Sequence, residues 1–301
     1  MRYFLFILPL ITCLASCSDK NTISPNGNTD QTVAPENRSP SVRNLKPDGT
    51  PYSLETLESM SHEKLMQLTY EPPRDTILTI GILLYDGYFS LDAMGPHSVL
   101  SSMYPAKTFF VGKQKGTVTS NNGLITPIDT TIAEVKQLDI LVVPGGTTAT
   151  YRAAQDGQLL QWIKNIDTKS KYTTSVCTGA WILGAAGLLK GKNATTNWYR
   201  AEEKLEEYGA TFTHERFTKD GKYWTSAGVS AGIDMSLALV DHIMGRNYAA
   251  FVMLNLEYDP QPPFKGGAVE KTDPVIHFMT KKMYDLSLEP EAFSKDKKKG
   301  L

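Results

Sequence analysis

The chain has 301 residues, 41% of them hydrophobic, and a formal net charge of −1 at pH 7. This length and apolar content are sufficient for one substantial domain with its own core. The near-neutral charge gives no support for a protein that binds nucleic acid.

Residues 1–17 have the pattern of a lipoprotein signal peptide. Met1 and Arg2 precede an apolar run from Tyr3 to Leu14, which is too short to span a bilayer as a stable helix. The stretch Leu14-Ala15-Ser16-Cys17 resembles the lipobox of bacterial lipoproteins, in which the cysteine becomes the N-terminus and carries the lipid. An ordinary signal peptide with a fortuitous cysteine is the alternative. We expect a lipid anchor at Cys17, a location in the cell envelope on the periplasmic or exterior side of a bacterial membrane, and no further transmembrane helix.

Residues 18–75 are predicted to be a polar tether followed by a short helical appendage. The part up to about residue 41 is rich in Asn, Thr, Ser, Pro and Asp, and it cannot bury much apolar surface. Residues 53–70 weakly predict one or two short helices, which Pro72 and Pro73 end. Such a tether suits a lipid-anchored domain. At the other end of the chain, residues 291–301 form a basic tail.

The main domain is predicted over residues 76–290, where strands alternate with helices. Strands are expected at 76–85, 108–112, 138–143 and 172–176. A hairpin is expected around Asn121-Asn122-Gly123, and a turn is expected at Lys219-Asp220-Gly221. Helices are expected at 90–103, 148–166, from 179 onward, and at 201–208, 230–244, 248–258 and 273–286. This alternation predicts an α/β sandwich with a mainly parallel sheet, whose ligands bind at the carboxyl ends of the strands.

Cys177 lies between a β-branched stretch, residues 172–176, and a small apolar stretch that begins at Gly179. The pattern predicts a buried strand, a turn and a buried helix, with the cysteine at the turn. The N-terminal end of a helix favours a thiolate, so we expect a nucleophile whose pKa is lowered. A buried structural cysteine is the alternative. In an exported protein Cys13 is removed and Cys17 is lipidated, which leaves Cys177 without a disulfide partner and favours a functional thiol.

Two other segments are predicted to end at the same edge of the sheet. Pro144-Gly145-Gly146 follows a buried strand, and its missing side chains let backbone N–H groups approach a ligand, although a plain strand-ending turn is the alternative. Asp92 follows the first strand and precedes an apolar helix, where a helix N-cap is the alternative role. Because the carboxyl ends of parallel strands share one edge, we expect Asp92, Gly145, Gly146 and Cys177 to lie close together.

The chain from about residue 76 to about residue 286 resembles the DJ-1/PfpI superfamily, and within it the isonitrile hydratase group. The matching stretches are LDAMGP at 91–96, VPGGT at 143–147, TSVCTGA at 174–180, GAAGLLKG at 184–191, ATTNW at 194–198, AGID at 231–234 and LEYDPQPPF at 256–264. The resemblance implies a flavodoxin-like three-layer α/β sandwich with a mainly parallel sheet, like that of class I glutamine amidotransferases. It also implies a homodimer, which apolar segments such as 83–89 would border, and it implies no cofactor and no metal.

The resemblance also assigns roles to residues on the motifs. Cys177 matches the nucleophile, Asp92 matches the acid that faces it, and Gly145, Gly146 and Thr178 would supply donors to an oxyanion or substrate. The Thr178 hydroxyl would orient water or hold Asp92. Thr178 stands where the protease-like and glyoxalase-like branches commonly carry His, which counts against both activities. Asn197 stands where many close relatives have His, and an amide cannot act as an acid or a base.

The implied function is a lyase or hydrolase that uses a nucleophilic cysteine on a small-molecule substrate. The named example is hydration of an isonitrile to an N-substituted formamide. A redox module in which Cys177 is reversibly oxidised, and a ligand-binding protein that has lost turnover, are the alternatives. Asp92, Thr178 and the glycines favour the enzyme, whereas Asn197 mildly favours the other two. The superfamily also includes domains of DNA-binding regulators, a role that the expected export argues against.

Overall fold

The computed structural model describes residues 46, 48–146 and 148–288, with side chains described up to residue 286. Every described residue belongs to one compact unit, Ser41–Leu301. The lipobox Cys17, the tether up to residue 45 and the basic tail at 291–301 lie outside the described residues.

The described chain contains eleven strands and ten α-helices. The strands are β1 (Thr79–Leu83), β2 (Lys107–Gly112), β3 (Gly116–Thr119), β4 (Ile125–Ile128), β5 (Thr130–Thr131), β6 (Ile140–Val143), β7 (Tyr172–Val176), β8 (Asn193–Ala194), β9 (Thr211–Phe212), β10 (Phe217–Asp220) and β11 (Tyr223–Ser226). The helices are α1 (Leu54–Ser59), α2 (His62–Thr69), α3 (Ser90–Leu100), α4 (Thr148–Ala153), α5 (Gly157–Asp167), α6 (Gly179–Ala185), α7 (Ala201–Glu207), α8 (Ala231–Met244), α9 (Arg246–Asn255) and α10 (Pro274–Leu288), and Val269–Lys271 forms a 3₁₀ turn. No described helix is long and apolar enough to cross a membrane.

The central sheet has seven strands in the order β10-β11-β7-β6-β1-β2-β5. All neighbouring pairs are parallel except the β10–β11 hairpin. The predicted α/β fold with a mainly parallel sheet is therefore confirmed. The chain starts at β1, moves outward to β2, and then crosses back to β6 on the other side of β1. The carboxyl ends of β1 and β6 thus flank the point where strand order reverses, which is where open α/β sheets bind ligands.

Successive side chains of each strand point to opposite faces of the sheet, and helices cover both faces. Ile80 and Ile82 of β1 belong to one buried cluster, which also contains residues of α3 and α8. Leu83 of β1 and Leu141 of β6 belong to a second cluster, which contains residues of α5 and α6. The sheet is therefore the middle layer of a sandwich, and its end presents the loops that carry the candidate site.

Three local predictions need comment. Residues 53–70 contain two short helices, and each begins at a serine N-cap, Ser53 for α1 and Ser61 for α2. The single helix predicted over 148–166 is wrong, because the chain breaks into α4 and α5 where Asp156 caps the second helix by accepting the Leu159 N–H at 3.1 Å.

The proposal that segment 83–89 borders a dimer interface also fails for its main apolar side chains. Leu83, Leu84 and Tyr88 are at most 1% exposed, since they belong to the protomer's own core. The homodimer itself stays a prediction.

Candidate active site

Cys177 occupies a strained turn between β7 and α6. Its φ is +58°, in the left-handed region that non-glycine residues rarely adopt, and its side chain is 5% exposed. The turn is held by two hydrogen bonds: the Cys177 N–H donates to Ser226 O at 3.1 Å, and Thr196 Oγ1 donates to Cys177 O at 2.8 Å. These contacts keep the sulfur at the carboxyl edge of the sheet, so the predicted placement at the strand–helix turn is confirmed.

Asp92 lies in the first turn of α3 and is completely buried. The N-cap of that helix is Phe89, so Asp92 does not have the capping role that the sequence left open. Its Oδ2 instead accepts the Gly145 N–H at 3.0 Å, whereas Oδ1 has no hydrogen-bond partner among the described residues. A buried, unpartnered carboxyl oxygen is costly, and such groups concentrate at sites that act on a ligand.

Gly145 and Gly146 bring the loop after β6 against these groups. A Cβ on Gly145 would lie 2.5 Å from Thr178 Oγ1 and 3.0 Å from Asp92 Oδ2. The Gly145 N–H donates to Asp92, and the Gly146 N–H donates to Thr178 Oγ1 at 3.2 Å. The two glycine N–H groups, which were among the three donors predicted for an oxyanion, are therefore engaged by the protein in this structure, and the absent side chains serve close packing.

Replacement of Gly145 by alanine is expected to disturb this packing. The new methyl group would also lie 2.7 Å from the Thr178 backbone nitrogen, which is rigid, so we expect a loss of about 1–3 kcal/mol of unfolding free energy. Urea denaturation of the purified protein measures the loss. Gly157→Ala is the matched control: nothing lies within 4 Å of its added Cβ at the start of α5. Equal stability of the two variants would contradict the packing role of Gly145.

Thr178 is 1% exposed, and its hydroxyl faces the loop after β6. Thr178 Oγ1 donates to Gly146 O at 3.0 Å and shares a hydrogen bond of 2.8 Å with Thr150 Oγ1. The structure gives this hydroxyl no hydrogen bond to Asp92, so the contact by which it would hold that carboxyl is not present. The Thr178 backbone N–H is directed at the Cys177 sulfur and lowers the pKa of the thiol.

The electrostatics of the pair differ from the sequence-based expectation. Burial raises the pKa of Asp92 from 3.8 to about 7, and this outweighs the Gly145 N–H and the Cys177 thiol, which both lower it. Burial, followed by the charge of Asp92, raises the pKa of Cys177 well above its ordinary value. The expectation of a lowered thiol pKa at the helix N-terminus is therefore wrong, because desolvation of the sulfur outweighs its N–H and amide donors. Near neutral pH the site holds a thiol beside a carboxyl group that is close to its own pKa.

Three further residues adjoin the pair. The Asn197 side chain, 3% exposed, adjoins the Cys177 sulfur and lowers the pKa of the thiol. Tyr85, which follows β1, donates its hydroxyl to Pro144 O at 2.8 Å. Burial raises the pKa of Tyr85, and the charges of Asp92 and Cys177 add to this. Burial and the charge of Cys177 raise the pKa of Tyr284 in α10. A position directly after β1 could have indicated Tyr85, but no sequence signal marked Tyr284.

A cleft of about 1070 Å³ is lined by the residue before Asp92 and by residues that adjoin Cys177, whereas neither Asp92 nor Cys177 belongs to its lining. Its lining includes Leu91, Asn197, Trp198, Val229 and Tyr284. Asn197 and Tyr284 thus border both the cleft and the surroundings of Cys177. Within the described part of the chain, no three His, Cys, Asp or Glu side chains are grouped so that they could hold a metal ion.

Comparison with known proteins identifies the family to which the chain belongs. A model of the DJ-1/PfpI family matches residues 79–242, more than half of the chain. An isonitrile hydratase of Pseudomonas putida is 40% identical over 191 residues, which cover 64% of this chain and 83% of that enzyme. The crystal structure of a THiJ/PfpI family protein from Pseudomonas syringae superposes with a TM-score of 0.67 at 36% identity, covering 69% of this chain and 86% of that one. The HTH-type transcriptional regulator CdhR of Pseudomonas aeruginosa is 33% identical over 138 residues, but the match spans only 40% of the regulator.

Proposed function

Because the chain belongs to the DJ-1/PfpI family, we propose that it is a cysteine-dependent enzyme that hydrates isonitriles to N-substituted formamides. The observation that carries the proposal is the buried Asp92 carboxyl, with one unpartnered oxygen, beside the Cys177 thiol at a strained turn. The similarity to an isonitrile hydratase supports the choice of reaction. Some members of the family act on other substrates, and some regulators contain the domain. The fold therefore does not fix the substrate, which has to be tested by experiment.

The protonation states suggest an order of steps. An isonitrile carries its reactive lone pair on the terminal carbon. Asp92, protonated below its pKa of about 7, donates its proton to that carbon and creates a nitrilium electrophile. The Cys177 sulfur adds to the same carbon while the Asp92 carboxylate accepts the thiol proton, which gives a thioimidate and restores the acid.

Hydrolysis completes the cycle. Water adds to the thioimidate carbon, the C–S bond breaks, and the sulfur leaves with a proton to restore the thiol. The product is an N-substituted formamide, so the net reaction is the addition of one water to the isonitrile. The high thiol pKa suits this sequence, because the sulfur is activated only when Asp92 has given up its own proton.

The redox alternative has less support from the site. A cysteine that is reversibly oxidised to a sulfenic acid is typically accessible and has a low pKa. Cys177 is 5% exposed and has a raised pKa, which are both unfavourable for reaction with a diffusing oxidant.

A turnover screen tests the proposed reaction. The purified protein would be incubated separately with an isonitrile, an amide and methylglyoxal, and products would be identified by mass spectrometry. We expect the formamide from the isonitrile only. Conversion of the amide or of methylglyoxal, without any formamide from the isonitrile, would replace this function by another cysteine-dependent one, and no turnover at all would favour the ligand-binding alternative.

We also propose that Cys17 anchors the protein to a membrane of the cell envelope, a proposal that rests on the lipobox-like sequence. The lipid chains attached at this cysteine would hold the protein at the membrane surface. Cys17→Ala is expected to move the protein from the membrane fraction to the soluble fraction of lysed cells. Cys177→Ala is the matched control and should stay with the membrane. A wild-type protein found soluble in the cytoplasm would refute the anchor.

A further inference from the structure

The segment around Asn197 lies between Cys177 and the last helix. Thr196 Oγ1 donates to Cys177 O at 2.8 Å, and the Thr195 N–H donates to Thr225 Oγ1 at 2.8 Å. These two bonds tie the segment to the turn of Cys177 on one side and to β11 on the other. The next side chain in the segment, that of Asn197, is therefore buried at the sulfur.

The orientation of the Asn197 amide follows from its hydrogen bonds. Its Oδ1 accepts the Tyr199 N–H at 3.0 Å, which leaves the NH₂ group for other partners. The same side chain adjoins the Cys177 sulfur and the Tyr284 hydroxyl, lines one cleft with Tyr284, and lowers the pKa of both groups. The NH₂ group is therefore available to donate to both groups, and such donation favours the charged form of an acid.

Helix α10 supplies the other side of this arrangement. The Tyr284 ring stacks on Tyr199 with centroids 5.2 Å apart and lies 5.3 Å from Trp198. The Tyr199 hydroxyl donates to Asp285 Oδ1 at 2.6 Å. These contacts attach α10 to the Asn197 segment, although the helix lies outside the residues 79–242 that the family model matches.

We propose that Asn197 is a fixed amide donor to the Cys177 sulfur, and that Tyr284 on α10 is the positioning residue that holds this amide in place. An amide does not exchange protons in the accessible pH range, so its contribution to an anionic sulfur is constant. The titratable groups that face the sulfur are Asp92 from α3, Tyr85 from the loop after β1, and Tyr284 itself. Both tyrosines have raised pKa values, which leaves Asp92 as the group among these that titrates near neutral pH.

Alkylation of Cys177 measures this effect without any isonitrile, so its outcome is independent of the proposed reaction. The full-length protein would be treated with iodoacetamide over a range of pH, and the rate would be followed on the Cys177 peptide by mass spectrometry. Below the thiol pKa the rate is proportional to the thiolate fraction. Loss of one hydrogen bond to a charged sulfur lowers the thiolate fraction about tenfold. The thiolate that remains is more nucleophilic, so the alkylation rate falls by less than the thiolate fraction.

We therefore expect the whole rate–pH profile to move to higher pH in two variants. Asn197→Leu keeps the side-chain size and should lower the rate at a given pH about threefold. Tyr284→Phe keeps the ring contacts and should lower it about twofold, since the amide stays present but loses its support. Tyr208→Phe is the matched control, because Tyr208 belongs to the same aromatic cluster without facing the sulfur. Its profile should match that of the wild type.

The double variant decides between positioning and direct action. In the Asn197→Leu background, Tyr284→Phe should have no further effect, because Tyr284 acts through the amide. An unchanged profile for Tyr284→Phe, or an equal shift with and without Asn197, would overturn the proposal. If Asn197→Leu does not fold, Asn197→Ala replaces it in the same cycle.

Discussion

Replacement of Cys177 by alanine is expected to abolish formamide production from an isonitrile while the protein stays folded. The thioimidate cannot form without the sulfur, so turnover should fall by on the order of a thousandfold or more, to the background rate. Steady-state assays of product formation measure the loss. Circular dichroism and thermal unfolding verify the fold, since the substitution removes only one sulfur atom from a turn that keeps its backbone hydrogen bonds.

The control for this variant is Ser175→Ala. Ser175 is buried two residues earlier on β7, and its Oγ has no hydrogen-bond partner among the described residues. Removal of this hydroxyl should leave turnover unchanged and should not reduce stability. Turnover that persists in Cys177→Ala would show that Cys177 serves packing, as the structural alternative for a buried cysteine holds.

Replacement of Asp92 by asparagine is expected to lower turnover by about two to four orders of magnitude, the usual contribution of a general acid–base group. The asparagine oxygen can still accept the Gly145 N–H, so the loop after β6 keeps its contact. In the wild type the acid form of Asp92 donates the proton, so kcat/KM should fall as the pH rises through about 7. The variant lacks this proton donor, so its residual kcat/KM should not fall as the pH rises through about 7.

The same substitution should affect stability in the opposite direction. The pKa of Asp92 rises from 3.8 in an unfolded chain to about 7 in the folded protein, so the folded state binds the proton more tightly. The stability this provides is present below pH 3.8 and is lost as the pH rises towards about 7. We therefore expect Asp92→Asn to be more stable than the wild type at about pH 8, with a smaller difference at about pH 4.5, in urea denaturation.

Asp156→Asn is the control that separates the effects of Asp92→Asn from those of removing any one carboxylate. Asp156 caps α5 at a position away from Cys177, and asparagine is an equally good N-cap. Asp156→Asn should preserve both the activity and its pH dependence. Undiminished turnover in Asp92→Asn would rule out Asp92 as the proton donor. The same conclusion would follow if kcat/KM of the variant still fell as the pH rises through about 7.

The sequence alone was sufficient to place the candidate site. Nearly continuous apolar and β-branched runs identified β1, β6 and β7, and the alternation with helices indicated that these strands are parallel. Parallel strands bring their carboxyl ends to one edge, so Asp92, Gly145 and Cys177 could be predicted to meet although they are distant in sequence. Gly145 and Cys177 come within two residues of the end of a strand, and Asp92 lies in the first turn of the helix that follows β1, so local patterns made the prediction possible.

The tertiary structure alone decided what these groups do to one another. Asp92 contacts Gly145 rather than capping its helix, the Thr178 hydroxyl is engaged by Gly146 and Thr150, and burial raises rather than lowers the thiol pKa. Tyr284 reaches the site from α10, about a hundred residues after Cys177, through packing that no local pattern encodes. Desolvation and side-chain contact depend on every layer packed around a group, and therefore only the folded chain determines them.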